Sequence, residues 1–196
     1  MNGGRITSEE KETLSEYLGV GIFVVLAAVG ISWFFLTDRE VKLVTGFDPN
    51  RPVPTDEVLK RRLSGEAFAV VRERHTQTPF QNKLYNEVRP GIYVDVITGE
   101  PLFTSLDKYD AGLGIPSFSK PISNDLLLES LDTRHNMQRT QLQAKRSNAY
   151  LGHRFDDPNS PTGQRYSINA AALKFIPAER MKEEGYEAFL PLLERK

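Results

Sequence analysis

The stretch that decides the fold is residues 151–177, which read LGHRFDDPNSPTGQRYSINAAALKFIP. Within it, residues 165–169 and 172–176 contain the aromatic and β-branched side chains typical of short strands, and small residues separate them. Upstream, residues 91–97 (GIYVDVI) have the same character, and residues 98–101 (TGEP) predict a turn into another strand. Short strands accompanied by a few helices predict a mainly β (α+β) domain with antiparallel sheets.

Two short helices are predicted before the strands begin. Thr55 or Asp56 provides the N-cap of the first and Ser64 that of the second, because their side chains accept hydrogen bonds from free backbone N–H groups. After the strands, residues 179–194 predict a closing helix that breaks at its glycine and its proline.

Residues 17–36 (YLGVGIFVVLAAVGISWFFL) form an apolar run of twenty residues without a charge. A helix of this length spans roughly 30 Å, the hydrocarbon thickness of a bilayer. A buried core helix and a cleaved signal peptide are the alternatives, but the preceding tail is acidic, whereas signal peptides begin with basic residues. We therefore predict a polar tail (1–16), a single transmembrane helix (17–36), a linker (37–54) and a folded domain (55–196).

Basic residues near the predicted span slightly favour a cytoplasmic position for the domain. Within about 15 residues of the span, two precede it and three follow it: Arg5, Lys11, Arg39, Lys42 and Arg51. We predict a single-pass protein of a bacterial inner (cytoplasmic) membrane, in contact with the lipid bilayer. The basic run of residues 60–62 either contacts anionic headgroups or is a solvated helix face.

The overall charge excludes one class of partner. With 25 basic and 26 acidic residues the formal net charge is −1. Nucleic-acid-binding proteins usually carry a clear basic excess, so no nucleic-acid partner is expected. The sequence contains no cysteine, which excludes disulfides and thiol catalysis within it.

Many short motifs together resemble the methionine sulfoxide reductase B family. They occur in the family's order and spacing over roughly residues 55–196, and so many ordered matches are highly specific. The motifs are TPF (78–80), GIYVD (91–95), TGEPLF (98–103), DKYD (107–110), PSF (116–118), KPI (120–122), LGH (151–153), FDD (155–157), PTG (161–163), RY (165–166), IN (168–169) and ALKFIP (172–177). The resemblance implies two antiparallel sheets with helices at the periphery. It also implies descent from an enzyme that reduces the R-sulfoxide of methionine with a cysteine nucleophile.

Several positions depart from the family's active-site pattern. The position of the nucleophile, between Arg-Tyr and Ile-Asn, is Ser167. Leu113 stands where many relatives have a resolving cysteine, and Ile115 stands where they have a tryptophan that packs against the substrate methyl group. Tyr150 replaces the first histidine of the family's His-Leu-Gly-His motif. What remains of the site is His153, Arg165 and Asn169.

The resemblance also identifies the positions at which many relatives bind zinc through two pairs of cysteines. Here these positions are Asp95 with Thr98, and Ala144 with Ser147. A structural zinc ion needs four good ligands, and this set offers at most one. We therefore expect neither a metal nor another cofactor.

Serine cannot replace the nucleophilic cysteine for a reason of redox chemistry. Sulfoxide reduction leaves the attacking sulfur oxidised as a sulfenic acid, which a second thiol then resolves. A hydroxyl oxygen has no comparable reversible oxidised state, and it is a poor nucleophile unless a base activates it. We therefore expect a protein without reductase activity, a pseudoenzyme of the family.

Three functions are compatible with this sequence. The first is a non-catalytic accessory subunit of a larger membrane complex, photosynthetic or respiratory, that contacts other integral membrane subunits through its helix and its domain. The second is a binding module for methionine sulfoxide, which Ile115 and Tyr150 would weaken. The third is a hydrolase in which His153 activates Ser167 and either Asp156 or Asp157 orients the imidazole; those two carboxylates otherwise belong to a turn.

Overall fold

The computed structural model describes residues 46–194. The predicted polar tail and transmembrane helix (1–16 and 17–36), and residues 37–45 of the linker, lie outside this range. Between residues 46 and 194 no helix is both long and apolar enough to cross a membrane. The membrane anchor therefore stays a prediction from the sequence.

Nine strands and two α-helices make up the regular structure of residues 46–194. The helices are α1 (Asp56–Arg62) and α2 (Gly65–Glu73). The strands are β1 (Gly91–Asp95), β2 (Pro101–Thr104), β3 (Lys108–Tyr109), β4 (Ser117–Phe118), β5 (Leu127–Asp132), β6 (Arg139–Ala144), β7 (Tyr150–Asp156), β8 (Gln164–Ile168) and β9 (Leu173–Pro177). Short 3₁₀ turns connect several of them.

The strands form two antiparallel sheets, which confirms the predicted mainly β class. One sheet has three strands in the order β2-β1-β9, and the other has six in the order β3-β4-β8-β7-β6-β5. Every pairing is antiparallel.

Aromatic residues fill the main core. Tyr93 of β1, Phe103 of β2 and Phe118 of β4 are each fully buried, with ring centroids 4.9 Å apart for Tyr93–Phe118 and 4.4 Å for Phe103–Phe118. Tyr166 and Ile168 of β8 belong to the same cluster. Because neighbouring side chains of a strand point to opposite faces, Ser167 between them points to the other face of the six-stranded sheet.

The other face of the three-stranded sheet is also covered. Ile92 and Val94, which alternate with Tyr93 along β1, pack with Ile176 of β9 and with Met181 and Tyr186 of the C-terminal segment. Strand β1 is therefore buried on both faces, which explains why its sequence is apolar without alternation.

Both helix starts were predicted within one residue, but the closing helix was not. Ser64 caps α2 by accepting a hydrogen bond from the Ala67 backbone N–H at 3.1 Å, whereas Thr55 precedes α1 without a side-chain cap. Residues 179–194 were predicted as a broken helix, and this prediction is wrong. The segment forms the 3₁₀ turns Ala178–Arg180 and Glu187–Leu193 on either side of Gly185, whose φ of +79° interrupts a right-handed helix.

Strands β7 and β8 approach closely at Gly152, so we predict that one added methyl group there destabilises the protein. A Cβ at Gly152 would collide with the backbone carbonyl of Ser167. We expect Gly152→Ala to lower the free energy of unfolding by about 1–3 kcal/mol, since an overfilled interior forces the backbone to shift. Chemical denaturation of the full-length protein measures this change.

Gly65→Ala is the matched control. It adds the same methyl group at the first position of α2, where nothing lies within 4 Å of the new Cβ. We expect no loss of stability there, because alanine favours helix more than glycine does. Equal destabilisation by the two substitutions would contradict the close approach of β7 and β8.

Candidate functional site

A row of polar side chains crosses the six-stranded sheet on the face opposite the aromatic core. Each member is paired in register with the next, so all of them point to the same side. The row consists of Ser130 (β5), Gln141 (β6), His153 (β7), Ser167 (β8), Ser117 (β4) and Tyr109 (β3). The sheet thus places His153 beside Ser167, as the resemblance implied.

Ser167 lies near the middle of this row. Its side chain is half-buried, and its hydroxyl forms no hydrogen bond with any residue between 46 and 194. The hydroxyl of its neighbour Ser117, by contrast, donates to the Ile115 carbonyl at 3.2 Å. Ser167 therefore presents a free hydroxyl group to the surface of the sheet.

His153 is held by residues other than Ser167. Its Nε2 lies 2.8 Å from Oδ2 of Asp132, and its Nδ1 lies 3.4 Å from the hydroxyl of Tyr150. Burial lowers the pKa of His153 and outweighs the opposite effect of Asp132. The imidazole is therefore neutral near pH 7 and donates its Nε2 proton to the carboxylate.

The prediction that Asp156 or Asp157 orients the imidazole is wrong. Asp156 accepts a hydrogen bond from Gln164 Nε2 at 2.8 Å, and Asp157 accepts one from the Tyr109 hydroxyl at 2.8 Å. Asp156 lies three residues after His153 in β7 and so points to the opposite face of the sheet. Asp157 follows the end of the strand.

Asp132 is the functional residue that the sequence analysis missed. It lies at the end of β5 and accepts hydrogen bonds from Arg134 Nε and Arg139 Nη2, both at 2.9 Å, in addition to that from His153. The Arg134 side chain, its backbone N–H and His153 together hold the pKa of Asp132 well below its usual range. The available signal in the sequence was the acidic Asp132 flanked by the basic Arg134 and Arg139 around a polar turn.

This arrangement does not form a serine hydrolase triad. In such a triad one imidazole nitrogen bonds the aspartate and the other accepts the serine proton. Here the second nitrogen of His153 faces Tyr150, whose ring lies edge-on at 5.9 Å between centroids. None of the side chains that the structure describes acts as a base hydrogen-bonded to the Ser167 hydroxyl, and an unassisted hydroxyl is a weak nucleophile.

Arg165 lies two residues before Ser167 on the same face of β8. Its guanidinium packs on the Phe155 ring, 5.0 Å from the centroid. Its closest carboxylate oxygen is Asp157 Oδ2, 3.7 Å from Nε, which is too far for a hydrogen bond.

Asn169, the last predicted site residue on this strand, has a structural role. Its side-chain amide donates to the Leu151 carbonyl at 2.9 Å and accepts the Gln77 backbone N–H at 3.0 Å. It fixes the loop after α2 to strand β7.

The predicted pocket residues Leu113 and Ile115 belong to the loop before β4. Leu113 is 40% exposed, and the nearby Phe80 is 60% exposed. The Phe80 ring packs on Gly114, and its backbone N–H bonds the Gly114 carbonyl at 2.9 Å. These side chains form an apolar rim, defined here as Phe80, Leu113 and Ile115, beside the strand that pairs with Ser167.

The former zinc positions lie in two turns with matching hydrogen bonds. The Gly99 N–H donates to the Asp95 carbonyl at 2.8 Å, and the Asn148 N–H donates to the Ala144 carbonyl at 2.9 Å. The hydroxyls of Thr98 and Ser147 likewise each accept the backbone N–H two residues later. The two turns thus share one pattern of hydrogen bonds.

These four positions do not fit a zinc ion. The Asp95 carboxylate is buried and accepts the Thr98 hydroxyl at 2.6 Å, while Ala144 offers no ligand atom. Among the side chains that the structure describes, no three of His, Asp or Glu lie close enough together to hold a metal. Hydrogen bonds instead occupy the Asp95 carboxylate and the Thr98 and Ser147 hydroxyls.

The buried state of His153 predicts a pH dependence of stability. Since its pKa is lower in the folded than in the unfolded protein, the unfolded state binds more protons, and stability declines as the pH falls below about 6.5. The lowered pKa of Asp132 also makes the protein less stable as the pH falls. This effect begins only below about pH 4, the pKa of the carboxyl group in the unfolded state. We expect His153→Gln to reduce the loss of melting temperature between about pH 7 and pH 5.

His75→Gln is the control for this experiment, because His75 is exposed and bonds no residue of the polar row. The His75→Gln variant should lose as much melting temperature at low pH as the unaltered protein. An unchanged pH dependence in His153→Gln would contradict the assignment.

The arrangement of sheets and site agrees with a comparison against known protein families. The family model described as the SelR domain matches residues 63–177, more than half of the 196-residue chain. The match begins between α1 and α2 and ends with the last residue of β9. The chain therefore belongs to the SelR domain family, that of methionine-R-sulfoxide reductase B.

Proposed function

We propose that this protein is a non-catalytic accessory subunit of a larger membrane complex and uses its SelR domain to bind partner subunits. The observation that carries the proposal is Ser167 at the nucleophile position of a sequence without cysteine. Oxygen at this position cannot pass through the oxidised state that a sulfoxide reductase needs. A domain of this family without that chemistry is a pseudoenzyme.

The surroundings of Ser167 support the loss of chemistry. His153 donates a hydrogen bond to Asp132 through Nε2, and its Nδ1 faces the Tyr150 hydroxyl. Neither nitrogen is therefore bonded to the serine hydroxyl. Leu113 and Ile115 occupy the loop where relatives have a thiol and a tryptophan. The same geometry disfavours the hydrolase hypothesis, because a hydroxyl nucleophile requires a base in contact with it.

The exposed apolar side chains support a role in binding. Phe80 and Leu113 of the apolar rim are 60% and 40% exposed. Phe80 also adopts a left-handed backbone with φ of +66°, which is rare for a bulky side chain and costs of order 1–3 kcal/mol. Such strain is typical of residues whose position serves a binding surface.

The membrane location of the proposal comes from the sequence. The apolar run of residues 17–36 is long enough to span a bilayer and would anchor the domain through the following linker. The proposed setting is the cytoplasmic face of a bacterial inner membrane, with other integral membrane subunits as partners. A photosynthetic or respiratory assembly is the proposed complex.

The first test is an activity assay on the purified full-length protein in mild detergent. With a methionine-R-sulfoxide peptide and dithiothreitol we expect no formation of methionine, since the nucleophilic sulfur is absent. Ser167→Cys is the matched variant. Turnover that appears only in this variant would assign the inactivity to the missing thiol alone, and turnover by the unaltered protein would contradict the proposal.

The second test is the isolation of the protein from its own membranes. After mild detergent extraction we expect it to co-purify with other membrane subunits, identified by mass spectrometry of a band from native gel electrophoresis. A tagged single-pass protein of unrelated sequence is the control for adventitious association. Recovery as a stable monomer would contradict an accessory role.

A further inference from the structure

Arg165 has hydrogen-bonding capacity that the protein does not use. Its side chain is only 18% exposed, yet none of its five N–H groups donates a hydrogen bond to another residue between 46 and 194. Its Nε is fully buried without a partner. A buried donor that is left unsatisfied destabilises the folded protein, more so when it is charged, so a ligand that bonds it gains affinity.

Ser167, two residues further along β8, lies on the same face as Arg165, and its hydroxyl forms no hydrogen bond with a described group. Residues two apart on a strand point to the same face and are separated by roughly 7 Å. A planar group with two oxygen atoms matches these donors in chemistry, because one edge can accept from the arginine while an oxygen accepts from the serine.

The charges on this face favour an anion. Among its described residues, Arg134, Arg139 and Arg165 face two carboxylates, Asp132 and Asp157, while His153 is neutral. Asp132 already accepts hydrogen bonds from two arginines, and Asp157 accepts one from the Tyr109 hydroxyl. Arg165 has an ion-pair contact with Asp157 at 3.7 Å but no hydrogen bond to a carboxylate.

The loop that carries the apolar rim leads into the strand that pairs with β8. The loop of residues 112–116 leads into Ser117, which pairs with Ser167, and the Pro116 carbonyl accepts the Ile168 N–H at 2.9 Å. The exposed Phe80 and Leu113 extend from this loop and its neighbour. A ligand with an acid group and a hydrocarbon part would satisfy both surfaces.

We propose that Arg165 and Ser167 bind a carboxylate of a partner polypeptide, with the apolar rim of Phe80, Leu113 and Ile115 receiving the carbon chain next to it. This inference rests on the proposed function and specifies where the partner binds. The carboxylate belongs either to a chain terminus or to an acidic side chain. Arginine pairs with carboxylates through two parallel hydrogen bonds, which gives the site its selectivity.

The test is a titration of the full-length protein in mild detergent with hexanoate and with its neutral analogue hexanamide, followed by ligand-observed NMR. We expect hexanoate to bind at least about tenfold more tightly than hexanamide, since hydrogen bonds to a charged group are the stronger ones. Arg165→Gln should weaken hexanoate binding at least about tenfold, and Ser167→Ala roughly fivefold.

Arg154→Gln is the matched control. Arg154 lies opposite Tyr166 on the neighbouring strand, so it points to the other face, where it pairs with Glu129 at 2.9 Å. The Arg154→Gln variant should bind hexanoate as tightly as the unaltered protein does. Thermal unfolding checks that each variant is folded, and Arg165→Lys, which keeps the charge but loses the planar fork, should bind with intermediate affinity.

Three outcomes would overturn the proposal: equal binding of hexanoate and hexanamide, no effect of Arg165→Gln, or tighter binding of a neutral methionine-R-sulfoxide amide than of hexanoate. Peptides ending in a free leucine carboxylate, compared with amidated peptides containing glutamate, distinguish the two sources of the acid group.

Co-purification of the Arg165→Gln variant separates this proposal from the function on which it rests. Loss of the partner supports the carboxylate site, whereas retention of the partner rejects it and leaves the accessory role intact. Hexanoate binding by a protein that has no partner supports the site and rejects the accessory role.

Discussion

The register between strands β7 and β8 is the constraint on which the rest of the site depends. It sets His153 opposite Ser167 and Phe155 opposite Arg165, and it directs Tyr166 and Ile168 into the aromatic core. A shift of one residue would exchange the two faces, because side chains alternate along a strand. The backbone contact at Gly152 and the packing of the core oppose such a shift together. Core and site are thus specified by one pairing.

The electrostatics of the polar face follow from this geometry. Asp132 at the edge strand receives hydrogen bonds from two arginines and from His153, so it stays charged while the imidazole stays neutral. Removing a partner from such a network is costly, since it leaves a buried charge uncompensated. His153 is consequently a fixed member of a structural network. Ser167 gains no base from it, although the two residues are neighbours in the sheet.

The sequence predicts the sheets better than it predicts the site. Strands such as β1 and β9 have local signals in their aromatic and β-branched residues, and the cap at Ser64 depends only on adjacent residues. Asp132 lies 21 residues from His153, and their contact arises from the pairing of three strands, which no local pattern encodes. The hydrolase alternative named Asp156 or Asp157 as the acid that orients the imidazole, and this part of it is wrong because proximity in sequence does not place residues on one face of a strand. The closing segment failed as a helix because the positive φ of Gly185 and the missing N–H of Pro191 favour separate turns.

Arg165 and Ser167 differ from the rest of this face because neither side chain forms a hydrogen bond with a described group, whereas Arg139 lacks a partner at Nε but bonds Asp132 through Nη2. The other members of the polar row donate or accept hydrogen bonds among themselves or with nearby loops, as buried polar groups must. Arg165 packs on Phe155 and lies 3.7 Å from Asp157, but its buried Nε has no hydrogen bond, and an unsatisfied charged donor destabilises the folded state. The fold therefore explains Asp132, His153 and Asn169 but leaves these two donors unexplained. A group that binds them from outside the domain supplies the missing acceptor and makes the whole face consistent.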